Sequence, residues 1–333
     1  MCKLKSAIIL KDRIFMPDYD SHSKMLEELG ITDDYFNASK VFVRAELSPK
    51  NKDVFSDIDG WKFSVDQDIT PEWFDEKDCT DRMRKAVKEW AKTHIFIGQN
   101  GLKISHGENI FIKDCKNVDI CGNTTVKYIC GDATVENICG EATVNYICDN
   151  ATVNYICDNA TVSYIYGNAT AKSICDNATV NYIYGNATVK SICGNATVER
   201  IYDNATVERI YDNATVNYIC DNATVNYIYG NATVNYICDN ATVNYIYGNA
   251  TAKSICDNAT VERIYDNATV NYIYGNATVK SICGKATVIS SSYSKWNNSE
   301  SLIISDNATF KDCYSRTIYQ AGGWKFVEVK KGK

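Results

Sequence analysis

From Cys121 to Ser291 the apolar positions of the chain recur every nine residues, as in Cys148-Asp149-Asn150-Ala151-Thr152-Val153-Asn154-Tyr155-Ile156. Numbering the unit from one to nine, Thr holds the fifth position throughout, Ala the fourth in every unit but the first, and Ile the ninth in every unit but the last. The sixth is Val apart from Ala171 and Ala252, and the first is always Cys or Tyr. The seventh and eighth vary, often as Asn-Tyr, Lys-Ser or Glu-Arg, as a solvent face would. A fixed period of this length predicts a solenoid, in which each unit buries its apolar residues against its neighbours.

Strand alternation points Ala at four and Val at six inward and Thr at five outward. Gly or Asp followed by Asn at two and three tolerates the left-handed backbone that a corner requires. A second, softer corner is expected near seven, returning Ile at nine to the interior between outward residues at eight and one.

One nonamer does not close a coil, because nine extended residues at ~3.3 Å span only ~30 Å and two sheets ~10 Å apart would use most of that in turns. Two nonamers supply ~60 Å of path, so the expected coil has 18 residues, two 9-residue half-coils, with residues i and i+18 stacked. The first position agrees: neighbouring units match in 6 of 18 cases, but units two apart match in 12 of 17. Ladders of like side chains are what stacked, in-register strands favour. The predicted fold is mainly β, a β-solenoid with six inward side chains per coil and a regular rod ~45 Å long at ~4.8 Å per coil.

Residues 1–102 have a different texture and read as a small α+β N-terminal domain that caps the solenoid. They contain an apolar opening from Ala7 to Phe15, a capped helix candidate from Ser23 to Leu29, and strand candidates from Val41 to Leu47 and from Trp61 to Val65. An amphipathic helix is expected from about Asp81 to Thr93, where Met83, Ala86, Val87, Trp90 and Ala91 recur at helical spacing. The solenoid is expected over 103–310, regular from 121 to 291, with an irregular first coil at 103–120 and a decayed unit at Ser305–Phe310. Residues 311–333 read as a C-terminal cap with a closing strand from Trp324 to Val329. Both flanks would cover strand edges that otherwise invite aggregation.

The repeat explains a composition of 15 Cys, 23 Tyr and three Pro in 333 residues. No apolar run approaches the ~20 residues of a membrane span. The opening from Met1 to Asp12 lacks the features of a signal peptide, so a cytoplasmic protein without a membrane partner is expected. The repeats hold nine Lys or Arg against 15 Asp or Glu, while the remainder is balanced at 26 of each. An acidic rod argues against direct binding of DNA or RNA. Mimicry of DNA by the rod would need a denser negative charge than this.

The Ile9-Leu10-Lys11-Asp12-Arg13-Ile14-Phe15 opening, the Phe42-Val43-Arg44-Ala45-Glu46 strand and Val65-Asp66-Gln67-Asp68, followed by Ala-Thr-Val nonapeptides, resemble an uncharacterised group of bacterial and phage proteins. The resemblance covers the whole chain. It implies a bacterial or phage origin and transfers no activity, cofactor or functional residue. The repeats are also similar in kind to pentapeptide-repeat and other β-solenoid proteins, without their five-residue period.

Near-identical units leave no unique constellation of acid, base and nucleophile, so no enzyme, cofactor or metal is expected. His22, His94 and His106 stand in separate contexts, and a Cys spacing of nine fits no zinc motif. Stacked thiols could hold soft metals or oxidise, but alternation with Tyr points to packing and to free thiols without a disulfide framework. Asp is too sparse for a calcium-binding nonapeptide, and the Asn-Ala-Thr triplets are explained by the corner and the ladder without glycans. The places left for a catalytic site are Asp18, Asp20 and His22 or the junction around His106, with a polar loop as the alternative.

The expected activity is binding, by a scaffold that presents a Thr, Asn and Tyr surface to a protein or glycan partner. The candidate ladder residues are Tyr146, Tyr155, Tyr166, Tyr184, Tyr202 and Tyr218 with Thr152 and Thr161. The competing readings are an inhibitor or DNA mimic that occupies a host protein, a self-assembling structural protein, and an ice-binding surface built on the Thr rows. Tyr columns could also serve only to stabilise stacked strands.

Overall fold

A computed structural model describes residues 5–290 and 302–321 and the strand Val327–Val329. The chain divides into two compact units, one of residues 1–97 with 108–111 and the other of 98–107 with 112–333.

In the first unit β1 (Lys5–Leu10) and β2 (Ile14–Phe15) form an antiparallel hairpin. Helices α1 (His22–Glu28) and α2 (Tyr35–Lys40) follow, then β3 (Phe42–Ser48), β4 (Lys62–Val65) and α3 (Glu76–His94). The sheet order is β2-β1-β3-β4, antiparallel throughout. All six residues of β1 are buried, because α1 and α3 both lie against it. Met25 and Leu26 of α1 pack on Ile8, Leu10 and Phe42. On α3 the buried residues Cys79, Met83, Val87 and Trp90 fall on one helical stripe, as amphipathic packing demands. Asp75 caps that helix, its side chain accepting from Asp78 N at 2.8 Å.

The second unit is a β-solenoid. Each regular unit contributes one strand from its Thr to its Ile, as in Thr143–Ile147 and Thr152–Ile156. Successive strands enter opposite sheets, one of 13 strands and one of 14 among the described residues. Within a sheet, neighbours are parallel and 18 residues apart: Thr143 lies opposite Thr161, Val144 opposite Val162, Tyr146 opposite Tyr164 and Ile147 opposite Ile165. The 18-residue coil of two half-coils is the observed architecture.

Ala, Val and Ile of every described regular unit are essentially fully buried, giving six core side chains per coil. Each buried Ile contributes roughly 2–3 kcal/mol, so the bore carries the stability of the rod. Ladder hydrogen bonds continue around the corners, where Cys148 N donates to Ile129 O at 3.0 Å and Asn150 N to Gly131 O at 3.1 Å. The corner closes on itself when Ala151 N donates to Cys148 O at 3.1 Å.

The soft corner expected near position seven is absent. The strand runs unbroken from five to nine, and positions seven and eight both face outward, half-buried or exposed in most units. The alternation therefore slips by one residue inside a continuous strand. That slip returns Ile to the core without a turn, since Val at six and Ile at nine are three residues apart.

At the second position Gly and Asp both take left-handed backbone, with φ of +56° at Asp149 and +69° at Gly167. Asp pays for this conformation with its carboxylate, which hydrogen-bonds the corner amide one coil earlier: Asp158 Oδ2 accepts from Gly140 N at 3.0 Å, and Asp212 Oδ2 from Gly194 N at 3.2 Å. At the third position Asn side chains run as amide ladders along both corners, with Asn231 Nδ2 donating to Asn213 Oδ1 and Asn249 Nδ2 to Asn231 Oδ1, both at 3.3 Å.

The decayed unit keeps register, with Thr309 opposite Thr287. The chain then reverses: Thr317–Gln320 pairs antiparallel with Thr309–Asp312, and Val327–Val329 antiparallel with Leu302–Ile304. The closing strand thus exists over 327–329, while Trp324 to Phe326 lie outside the described residues.

Candidate functional site

The parallel register gathers the repeat's aromatic residues into columns. On the 14-stranded sheet, Tyr128, Tyr146, Tyr164 and Tyr182 at position eight stack with ring centroids 4.8, 5.1 and 5.2 Å apart. Beside them Tyr166, Tyr184 and Tyr202 at position one stack at 5.2 and 5.0 Å. The two columns meet edge to face, Tyr146 on Tyr166 at 6.2 Å and Tyr164 on Tyr184 at 6.3 Å. Offset-stacked and T-shaped pairs each add about 0.5–1.5 kcal/mol beyond area burial. The block is therefore both a surface and a brace.

Of the predicted residues, this sheet brings together Tyr146, Tyr166, Tyr184, Tyr202, Tyr218 and Thr161. It leaves Tyr155 and Thr152 on the opposite sheet. Tyr146, Tyr166, Tyr184, Tyr202 and Tyr218 are half-buried, as are Thr152 and Thr161. Tyr155 is 53% exposed, and its neighbours along the column are Asn137 and Ser173. Tyr236 and Tyr272 are also exposed, each facing Ser254 along the other sheet's position-eight column. Tyr155 and Tyr272 thus have Asn or Ser where a run would place the next ring, and the exposed Tyr236 and Tyr227 end runs beside Ser254 and Arg209. Within a run, each ring face is covered by its neighbour. Burial pushes the position-one phenols of Tyr184, Tyr202, Tyr247 and Tyr265 above the ordinary 10.0.

Charge enters the position-eight columns as Arg200, Arg209 and Arg263. Arg200 follows Tyr182 and lies 5.0 Å over the Tyr218 ring. Position seven carries amide and carboxylate ladders, such as Asn235 Nδ2 to Asn217 Oδ1 at 2.6 Å and Asn154 Nδ2 to Glu136 Oε2 at 2.5 Å. Sequence reasoning placed neither the edge-to-face packing nor the Arg insertion, because both depend on neighbours 18 and 20 residues away.

Position one is segregated. On one corner it runs Cys130 and Cys148, then Tyr166, Tyr184 and Tyr202, then Cys220, Cys238 and Cys256, and then Tyr274; on the other, Cys121 to Cys193 in five successive coils, Tyr211 to Tyr265 in four, and then Cys283. The described Cys residues are free thiols, buried or half-buried in the solenoid apart from the exposed Cys313. Several lie against a carbonyl of the preceding coil, as Cys139 Sγ does 3.6 Å from Ile120 O. The column sits at the corner, outside the Ala-Val-Ile bore.

The first unit's candidate residues do not converge on a reaction centre. His22 is buried with Nδ1 3.2 Å from Asp66 Oδ2 and Nε2 3.2 Å from Ala45 O, so both ring nitrogens are engaged. Asp20 accepts from Ser6 N at 3.1 Å and lies 3.7 Å from the buried Lys5 ammonium, which itself donates to Pro17 O at 2.6 Å. Asp18 lies 3.3 Å from His94 Nε2, and the His94 ring stacks on Trp90 at 4.6 Å. His106 belongs to the other unit, beside Ser105 Oγ at 3.2 Å. A pocket of about 500 Å³ lined by Asp33, Arg44, Asp66 and Asp68 is open and acidic, and Arg44 is paired with Asp33.

Among the described residues no helix is long and apolar enough to cross a membrane. Comparison with protein-family models, curated proteins and solved structures finds no match to this chain.

Proposed function

We propose that this protein is a non-enzymatic β-solenoid scaffold that presents its Thr, Asn and Tyr surface to a protein partner. The observation that carries this reading is the exposure of two rings. Tyr155 and Tyr272 stand 53% and 54% exposed on opposite parallel sheets, each beside Ser or Asn, in a repeat whose Tyr rings are mostly stacked in columns. Rigid, amphipathic rings offer contact area at low entropic cost, which is how aromatic anchors serve interfaces. A glycan fits less well, because sugars stack on open ring faces and most faces here are taken by the next ring.

End-to-end polymerisation is disfavoured by the two antiparallel strands that finish the sheets, since a further parallel coil finds no matching edge there. A bacterial or phage setting, implied by the resemblance of the flanking motifs, directs the search for the partner to bacterial lysate. The experiment is quantitative capture by the full chain and by a Tyr155→Ser/Tyr272→Ser variant, with captured proteins then tested in purified form. A purified protein that binds the wild type and loses at least tenfold in affinity for the variant supports the reading. Equal binding to both chains, or binding only to oligosaccharides on a glycan array, overturns it.

A further inference from the structure

The Cys block of one corner has the geometry of a metal site. Cys220, Cys238 and Cys256 occupy position one in three successive coils, bounded along the column by Tyr202 and Tyr274. The ligand atoms of Cys220, Cys238 and Asp239 all lie within 4.8 Å of one another, and so do those of Cys238, Cys256 and Asp257. Among the described residues these are the groups that join two thiols to a carboxylate, and both contain Cys238. Cys220 and Cys256 are 9% and 5% exposed, so the thiols are held by packing.

Strand spacing selects the ion. Parallel strands stack ~4.8 Å apart. A linear sulfur–metal–sulfur bridge needs about twice a metal–sulfur bond of ~2.3 Å, nearly the same length. Each interval offers two sulfurs within 4.8 Å of one another, which is the ligand number and reach of a two-coordinate soft cation. Thiolates favour soft ions such as Cu(I). We propose that Cys220, Cys238 and Cys256 bind two monovalent soft cations of the Cu(I) type, one in each interval, with Cys238 as the shared ligand.

Each interval is bridged by two sulfurs. Filling both therefore displaces three thiol protons and adds two positive charges, leaving one net negative charge on the three thiolates and two ions. Asp239 and Asp257 supply the negative field that attracts the cations.

The test is anaerobic titration of the full chain with Cu(I) against an excess of a chromogenic chelator, counting the ions retained. Ions held by other thiols cancel in the difference from wild type. Cys238→Ser is expected to lose two ions, whereas Cys220→Ser and Cys256→Ser lose one each. The double variant Cys220→Ser/Cys256→Ser, which keeps Cys238, also loses two and guards against a Cys238→Ser chain that fails to fold. Equal losses in all three single variants, or no loss in any, would overturn the shared bridge.

Discussion

Asp149 reaches one coil back, its Oδ2 accepting the corner amide of Gly131 at 3.0 Å, while its own backbone holds φ at +56°. The side chain thus offsets the conformation its own corner imposes. Left-handed backbone costs an ordinary L-residue about 1–2 kcal/mol, and a hydrogen bond returns about 1 kcal/mol. Asp149→Ala loses the bond and keeps the strain, so a loss of about 1–3 kcal/mol is expected. Asp149→Gly loses the bond and relieves the strain, so it should stay within about 1 kcal/mol of wild type. Urea unfolding of the two variants decides the matter; an Ala variant as stable as the Gly variant would contradict the account.

The half-coil gives a sharper test. Deleting Cys175–Ile192, 18 residues, returns every later strand to its own sheet and sets Tyr202 on Tyr166 and Cys193 on Cys157. Deleting only Cys175–Ile183, nine residues, moves every later strand to the other sheet and sets Tyr184 on Cys157 and Cys193 on Tyr166. The first chain is expected to melt cooperatively near wild type, the second well below it. Circular dichroism melts that rank the two the other way would refute the columns as stabilising units.

Tyr164 and Tyr155 should separate bracing from display. Tyr164 stacks on Tyr146 and Tyr182 and meets the edge of Tyr184, so Tyr164→Ala is expected to cost about 1–4 kcal/mol from lost ring pairs. Tyr155 has Asn137 and Ser173 as its column neighbours, and Tyr155→Ala should stay within about 0.5 kcal/mol. Chemical denaturation of both variants provides the comparison.

Alkaline pH should loosen the solenoid. Burial pushes the Cys157 thiol from the ordinary 9.0 up to about 12, and raises the Tyr184, Tyr202 and Tyr265 phenols above 10.0. Because these folded values exceed the unfolded ones, the folded chain holds protons that the unfolded chain has released. Their stabilisation is complete below pH 9 and is lost as pH rises through 12. Melting temperatures recorded from pH 8 to 11 should fall steadily; a flat profile would show that these groups are not shielded.

The bore was legible in the chain because Ala, Val and Ile never leave their positions, and the coil length because like residues recur at 18 rather than nine. The supposed corner at seven came from demanding strict alternation, whereas the strand absorbs the odd residue by turning positions seven and eight outward together. Helix α2 was missed because Tyr35–Lys40 buries no residue and rests on its Asp34 cap, which accepts from Asn37 N at 2.8 Å. Helix α3 begins at Glu76, ahead of the expected Asp81, since its first turn is fixed by Asp75 and the acidic Glu76 and Asp78 and not by apolar spacing. The thiol stacks were legible as well, since position one matches between units two apart, but the alternation of Cys with Tyr along the chain pointed to packing and away from a metal.

A chain of near-identical modules has many wrong ways to pair with itself, since a strand shifted by one full turn still finds Thr opposite Thr and Ile opposite Ile. The runs of Tyr and Cys at position one break that degeneracy. A slip by 36 residues would set Cys238 on Tyr202 instead of Cys220 and Tyr229 on Cys193 instead of Tyr211, trading a thiol pair and a ring stack for mismatched contacts. Composition that looks redundant from unit to unit thus works as a barcode, giving each strand an address during folding that its backbone alone does not provide.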